Sequence, residues 1–143
     1  MNPGWRSVLA IGLIAVQPAW TVMSQSAAGK VPGPTALQRG EQIYTRCAAC
    51  HAIESNHTGP QHCGVCGRRA GTAPGFDSYS KAMRNSKVVW NERSLDVFLQ
   101  APTLAVPGTA MGYAGVKDAR ERADLIAWLR QAAKPGKGCT LSR

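Results

Sequence analysis

Cys47-Ala48-Ala49-Cys50-His51 decides the reading of this chain. Two thiols three positions apart, with an imidazole directly after the second, form the pattern of covalent haem attachment. A helical backbone turns by roughly 100° per residue, so Cys47, Cys50 and His51 fall on one face. Both sulfurs can then bond the two vinyl groups of one porphyrin while His51 meets the iron from the same side. The alternatives for the pentapeptide are a redox Cys-x-x-Cys pair and half of a zinc site.

Iron held by His51 alone would leave a position open to oxygen or peroxide, whereas a second protein ligand makes an electron carrier. Of the four methionines, Met1 and Met23 lie in the N-terminal segment, leaving Met83 and Met111. Met111 follows Val106-Pro107-Gly108-Thr109-Ala110, a loop stiffened by proline. A thioether is a soft, weak donor that favours ferrous iron and raises the potential. The competing role for Met111 is ordinary packing.

The remainder of the chain is consistent with a small exported domain. At 143 residues it is one domain, and 17 Lys and Arg against 8 Asp and Glu give a net charge of +9. Arg6, an apolar run from Val8 to Val16, then Pro18 and small residues read as a signal peptide over 1–26, removed between about Ser24 and Ala28. An uncleaved anchor is the competing reading, but Gln17 and Pro18 interrupt a run already short of the ~20 residues a spanning helix needs. Residues 27–34 read as a flexible lead-in, 35–134 as the folded domain and 135–143 as a C-terminal tail. Basic charge without a recognition motif gives no support to nucleic-acid binding.

Three helices are predicted and no strand. The first runs from Ala36 to about Ala49, with Thr35 and Gln38 as a capping box and Leu37, Gly40, Tyr44 and Cys47 on one face. Asn91 caps the second, Glu92 to Gln100, whose buried side is Leu95, Phe98 and Leu99 and which Pro102 ends. Asp118 and Glu121 form the capping box of the third, Ala119 to Ala133, with Leu125, Trp128, Leu129 and Ala132 as its apolar stripe. Between them lie long Gly- and Pro-rich loops, 52–75 and 101–117. Loops of that length in a small domain need something to wrap around, and a haem would also supply apolar material that a core with two Phe lacks.

These motifs in this order resemble the class I cytochromes c of the mitochondrial and proteobacterial type. The resemblance covers about Gly40 to Ala132. It rests on Cys47 to His51, on Gly59-Pro60 through Gly67-Arg68 and Ala73-Pro74-Gly75-Phe76, on Tyr79-Ser80 with Trp90, and on Pro107 through Gly115 into Glu121 to Leu129. It implies an all-α class I cytochrome c fold wrapped around one haem c bound through Cys47 and Cys50, with His51 and Met111 on the iron. The first and last helices would cross where Gly40 permits close approach to the Leu125 and Trp128 face. The Pro60 carbonyl would accept the Nδ1 proton of His51, Arg68, Tyr79 and Trp90 would hydrogen-bond one haem propionate, and Thr109 would approach the other.

The resemblance also implies a function: a soluble periplasmic one-electron shuttle of a gram-negative bacterium, monomeric and not an enzyme. Donors would be a cytochrome bc complex or a periplasmic dehydrogenase; acceptors would be a terminal oxidase, a peroxidase or a photosynthetic reaction centre. The exposed haem edge would lie among Arg46, Ala110 to Tyr113 and Lys117. No Lys or Arg occurs from Ser94 through Val116, so apolar docking through Leu104, Val106 and Ala110 is expected. Two other readings compete: a haem enzyme or gas sensor with a displaceable Met111, and a zinc site of Cys47, Cys50, Cys63 and Cys66.

Departures from the family pattern are informative. Met83 and Phe98 replace a buried Asn and Tyr that hold an internal water, which implies a drier Met side. His62 stands in place of an aliphatic residue and reads either as solvent-facing or as a group titrating near neutral pH. His57 reads as a surface residue. Cys63-Gly64-Val65-Cys66 lacks the following His for a second haem. An oxidising compartment favours pairing; the expectation is a Cys63–Cys139 bridge that ties down the tail, with Cys66 a buried small hydrophobe, and a Cys63–Cys66 bridge and a free thiol remain open.

Overall fold

A computed structural model describes residues 33–136 and residue 139. The expected signal peptide, most of the lead-in and all of the tail beyond 136 except Cys139 lie outside these residues. Five helices follow one another: α1 (Ala36–Tyr44), α2 (Lys81–Asn85), α3 (Glu92–Gln100), α4 (Pro102–Ala105) and α5 (Ala119–Ala132). Among the described residues there is no strand, only isolated bridges at Arg69–Val89 and Gly136–Cys139. No helix among them is long and apolar enough to cross a membrane.

α1 begins as its sequence dictates. The Thr35 side chain accepts from the Gln38 amide, and the Gln38 side chain returns the bond to the Thr35 amide. The helix ends at Tyr44 rather than near Ala49. Thr45 turns both its amide and its hydroxyl onto the Gln42 carbonyl, so the Arg46 amide falls back on Ile43. A side-chain hydroxyl that takes a helical carbonyl competes with the helix. The chain continues through tight turns, Cys47 on Tyr44 and Cys50 on Cys47, to a His51 amide bonded to the Cys47 carbonyl. Leu37, expected on the buried face, is left exposed at the rim.

α3 has the expected bounds, with Asn91 and Ser94 capping one another reciprocally. Pro102 both ends α3 and opens α4 at its first turn, where a missing N–H costs nothing. The predicted loop 101–117 therefore contains a short helix. α5 is capped by Asp118, but Glu121 does not complete the box: its carboxylate leaves to pair with Arg46.

α1 and α5 pack together, with α3 against α5, around Ile43, Leu95, Leu99, Leu125, Ile126 and Leu129. Gly40 makes the close approach possible, since a Cβ there would meet the Asp124 backbone and stand 2.6 Å from the Cβ of Trp128. Arg122, buried at 6% exposure, donates Nη1 to the Val116 and Lys117 carbonyls and Nε to Asp96. It thereby ties the 106–117 loop and α3 to α5.

Candidate cofactor site

The loops and helices enclose a cavity of about 550 Å³. Its floor is apolar, made by Leu95, Phe98 and Leu99 of α3 and by Leu125 and Leu129 of α5. One wall is the turn after α1, carrying Cys47, Cys50 and His51; Met83 and the segment from Thr109 to Tyr113 also line it. Arg68, Tyr79 and Trp90 complete the lining. All nine residues singled out for cofactor contact, Pro60 among them, therefore line one space.

His51 is fixed before anything binds. Its Nδ1 lies 2.8 Å from the Pro60 carbonyl oxygen, to which it donates, and this leaves the Nε2 lone pair free. Burial lowers the His51 pKa below the usual histidine value, opposed by the Pro60 carbonyl. The ring is thus held in the neutral form that a metal requires. Gly59 bonds its amide to the Cys50 carbonyl and packs on the His51 ring; a Cβ there would come within 2.7 Å of both ring nitrogens. Only glycine fits that approach.

Arg68 anchors the neighbouring loop by donating to the Cys63 carbonyl at 2.5 Å and the Gln61 carbonyl at 2.9 Å. Its Nε is buried without a partner. A buried guanidinium donor left unmatched beside a cavity calls for an anionic acceptor within it. The Tyr79 hydroxyl accepts from the Ala73 amide at 3.2 Å and keeps its own proton to donate. The Thr109 hydroxyl oxygen accepts from the Met111 amide at 3.3 Å, bracing the loop that presents Met111. A cavity with an apolar lining, a free imidazole nitrogen, two neighbouring thiols and an unmatched guanidinium fits a porphyrin bearing iron and carboxylates.

His62 corrects the solvent-facing expectation. It lines the cavity, its ring stacked on His51 with centroids 4.6 Å apart and its Nδ1 3.1 Å from the Tyr44 hydroxyl. Burial, with the neighbouring His51 and Arg68, pushes its pKa down to about 3, so it does not titrate near neutral pH. Tyr44 is pushed up to about 12, chiefly by burial. His57 is exposed, as read.

Two further placements differ from expectation. Cys66 is an exposed free thiol, because Val65 takes the inward position of that turn at 5% exposure. Val106 turns into the core at 7% exposure, while Leu104 stands out at 80%. The expected disulfide does join Cys63 to Cys139, which removes Cys63 from any four-thiolate zinc site. Among the described residues no group of three or more His, Cys, Asp or Glu could hold a metal ion. Tyr44, Ser78 and Ser80 also line the cavity; in the sequence Tyr44 stands out only on a helix face, Ser80 only within the Tyr79-Ser80 pair, and Ser78 not at all.

The chain matches known proteins along most of this framework. Residues 37–133 match the family described as Cytochrome c. Cytochrome c2 of Rhodomicrobium vannielii is 36% identical over 124 residues, spanning 85% of this chain and 93% of that one. Cytochrome c of Sesamum indicum is 43% identical over 103 residues, 69% of this chain and 92% of its own. Among solved structures, cytochrome cH from Methylobacterium extorquens superposes with a TM-score of 0.63 at 37% identity, covering 65% of this chain and 95% of that one.

Proposed function

The chain belongs to the class I cytochrome c family and carries one covalent haem c, and from that premise we propose that it is a soluble periplasmic one-electron shuttle whose iron is held by His51 and Met111. Its class is that of an electron carrier, which the family sets. The haem, when bound, supplies a single-electron couple; the protein residues set its environment. Cys47 and Cys50 would hold the porphyrin through thioether bonds, and the Pro60 carbonyl would keep the His51 Nε2 directed at the iron. Arg68 Nε, Tyr79, Trp90 and Thr109 would receive the propionates, and Met111 would close the opposite side. An export signal over 1–26 and redox partners such as a cytochrome bc complex, a dehydrogenase, a terminal oxidase or a reaction centre belong to this reading.

One observation carries it: His51, already bonded at Nδ1 to Pro60, shares a single cavity with Cys47, Cys50 and Met111. Keeping two strong-field ligands in both oxidation states leaves little to move on electron transfer. The test is the visible spectrum of protein matured in a host competent for haem attachment. A ferric iron–thioether charge-transfer band that vanishes in Met111→Ala is the expected result. A wild-type ferrous protein that binds carbon monoxide readily at neutral pH would refute Met111 ligation and favour an enzyme or gas sensor.

A further inference from the structure

His51 has one hydrogen bond, at Nδ1, and a single bond fixes a point of the ring more firmly than its plane. The plane is set by what lies flat against it. His62 does so, with an interplanar angle of 15° to His51. His62 is itself held at both ends. Its amide donates to the Ala52 carbonyl and its carbonyl accepts from the Val65 amide. The next residue, Cys63, is locked by the disulfide.

At its tip, His62 Nδ1 meets the Tyr44 hydroxyl at 3.1 Å. Tyr44 cannot swing away, because its ring packs at 4.5 Å between centroids on Trp128 of α5 and sits edge-on to His62. An aliphatic side chain at position 62 would fill the volume but could neither lie flat on an imidazole nor engage a buried hydroxyl. The chain therefore runs from the packed α1/α5 crossing through a hydroxyl and a stacked ring to His51.

We infer that His62, tethered by the Tyr44 hydroxyl, is a positioning residue that sets the plane of the His51 ring. The inference rests on His51 being an iron ligand. In ferric haem the unpaired spin spreads over the porphyrin in a pattern set by the planes of the axial ligand orbitals. The order and spread of the haem-methyl proton resonances therefore report the ring plane, which a role confined to packing would leave unmoved.

The experiment is proton NMR of the ferric holoprotein, wild type against Tyr44→Phe and His62→Leu. Tyr44→Phe deletes one hydroxyl and keeps the ring, so it remains informative even where His62→Leu folds poorly. A changed haem-methyl spread in Tyr44→Phe, with the iron–thioether band retained, is the expected result. An unchanged spread in Tyr44→Phe overturns the tether whatever His62→Leu does. A wild-type spectrum without a low-spin histidine-ligated iron would overturn the ligand reading itself, and that failure is visible before either variant is made.

Discussion

Gly40 of α1 crosses the backbone of Asp124 on α5 with no room for a side chain: a Cβ would overlap the Asp124 carbonyl and stand 2.6 Å from the Cβ of Trp128. Two effects oppose one another in Gly40→Ala. Helix propensity alone favours alanine by about 1 kcal/mol. Overlap with a backbone carbonyl forces α1 and α5 apart, at about 1–3 kcal/mol and loss of packing around Leu125. Overlap wins, because the atom in the way is backbone of α5 and not the end of a flexible side chain. Denaturant unfolding of the holoprotein should show Gly40→Ala less stable than wild type by about 1–2 kcal/mol; a stabilised variant would mean the crossing is looser than described.

The Cys63–Cys139 disulfide spans 76 residues and is almost fully buried, at 1% and 3% exposure. It fastens the chain beyond α5 to the loop that carries Pro60 and His62, reinforced by the Gly64 amide on the Ala133 carbonyl. Replacing both cysteines by alanine should cost about 2–4 kcal/mol in unfolding free energy. Peptide mapping without reduction should find Cys63 linked to Cys139 and Cys66 alkylated as a free thiol. A Cys63–Cys66 peptide would contradict the structure.

The parts of this protein legible in its sequence are those written in local signals. The Cys47–His51 spacing, the Asn91 cap before the Leu95-Phe98-Leu99 stripe and the Asp118 cap of α5 each need only a few consecutive residues. α2 and α4, of five and four residues, are too short to establish a period, so α4 lies inside a predicted loop and α2 in a stretch given no element. The end of α1 turned on one threonine hydroxyl choosing the Gln42 carbonyl. The role of Arg122 and the inward placement of His62 are illegible in the sequence for a different reason. Each is defined by partners far along the chain or by a loop that the disulfide holds, and nothing beside them in sequence announces it.

Asp124 is gripped by Arg39 through two bonds, Nε to Oδ2 at 2.6 Å and Nη2 to Oδ1 at 3.1 Å. Hydrogen bonding from Arg39 holds the carboxyl below its ordinary value of 3.8. A carboxyl with a depressed folded-state pKa stabilises the fold above its unfolded pKa, and the contribution is lost as pH falls through the folded value. Asp124→Asn should therefore be less stable than wild type at neutral pH, and the gap should close as the pH is taken below 3.8. Unfolding curves for both proteins across that range would check it; a constant gap would assign the loss to packing.

Docking at the haem edge should depend only modestly on salt. Arg46, expected beside that edge, is paired with Glu121, and Lys117, expected there too, donates its ammonium to the Gln100 carbonyl. The surface between carries exposed Leu104, Ala110, Gly112 and Ala114 and no Lys or Arg. Exposed charges steer partners over distances that salt screens, whereas apolar contact is insensitive to it. Electron-transfer rates with a redox partner protein, measured against ionic strength, should fall shallowly. A steep fall would place the docking charges elsewhere.

Phe98 lines the cavity at 8% exposure, beside Trp90 at 4.9 Å between centroids and close to the buried Met83. Phe98, Trp90 and Met83 give this part of the cavity an apolar lining. A medium of low dielectric penalises charge, and ferric haem carries one more positive charge than ferrous haem. Phe98→Tyr brings a hydroxyl, and with it a dipole able to turn toward that charge or to hold a water there. The ferric state gains more than the ferrous, so the reduction potential should fall. Spectroelectrochemical titration of the two proteins at one pH measures the shift; a potential unchanged or raised in Phe98→Tyr would show that the dryness of this side does not set it.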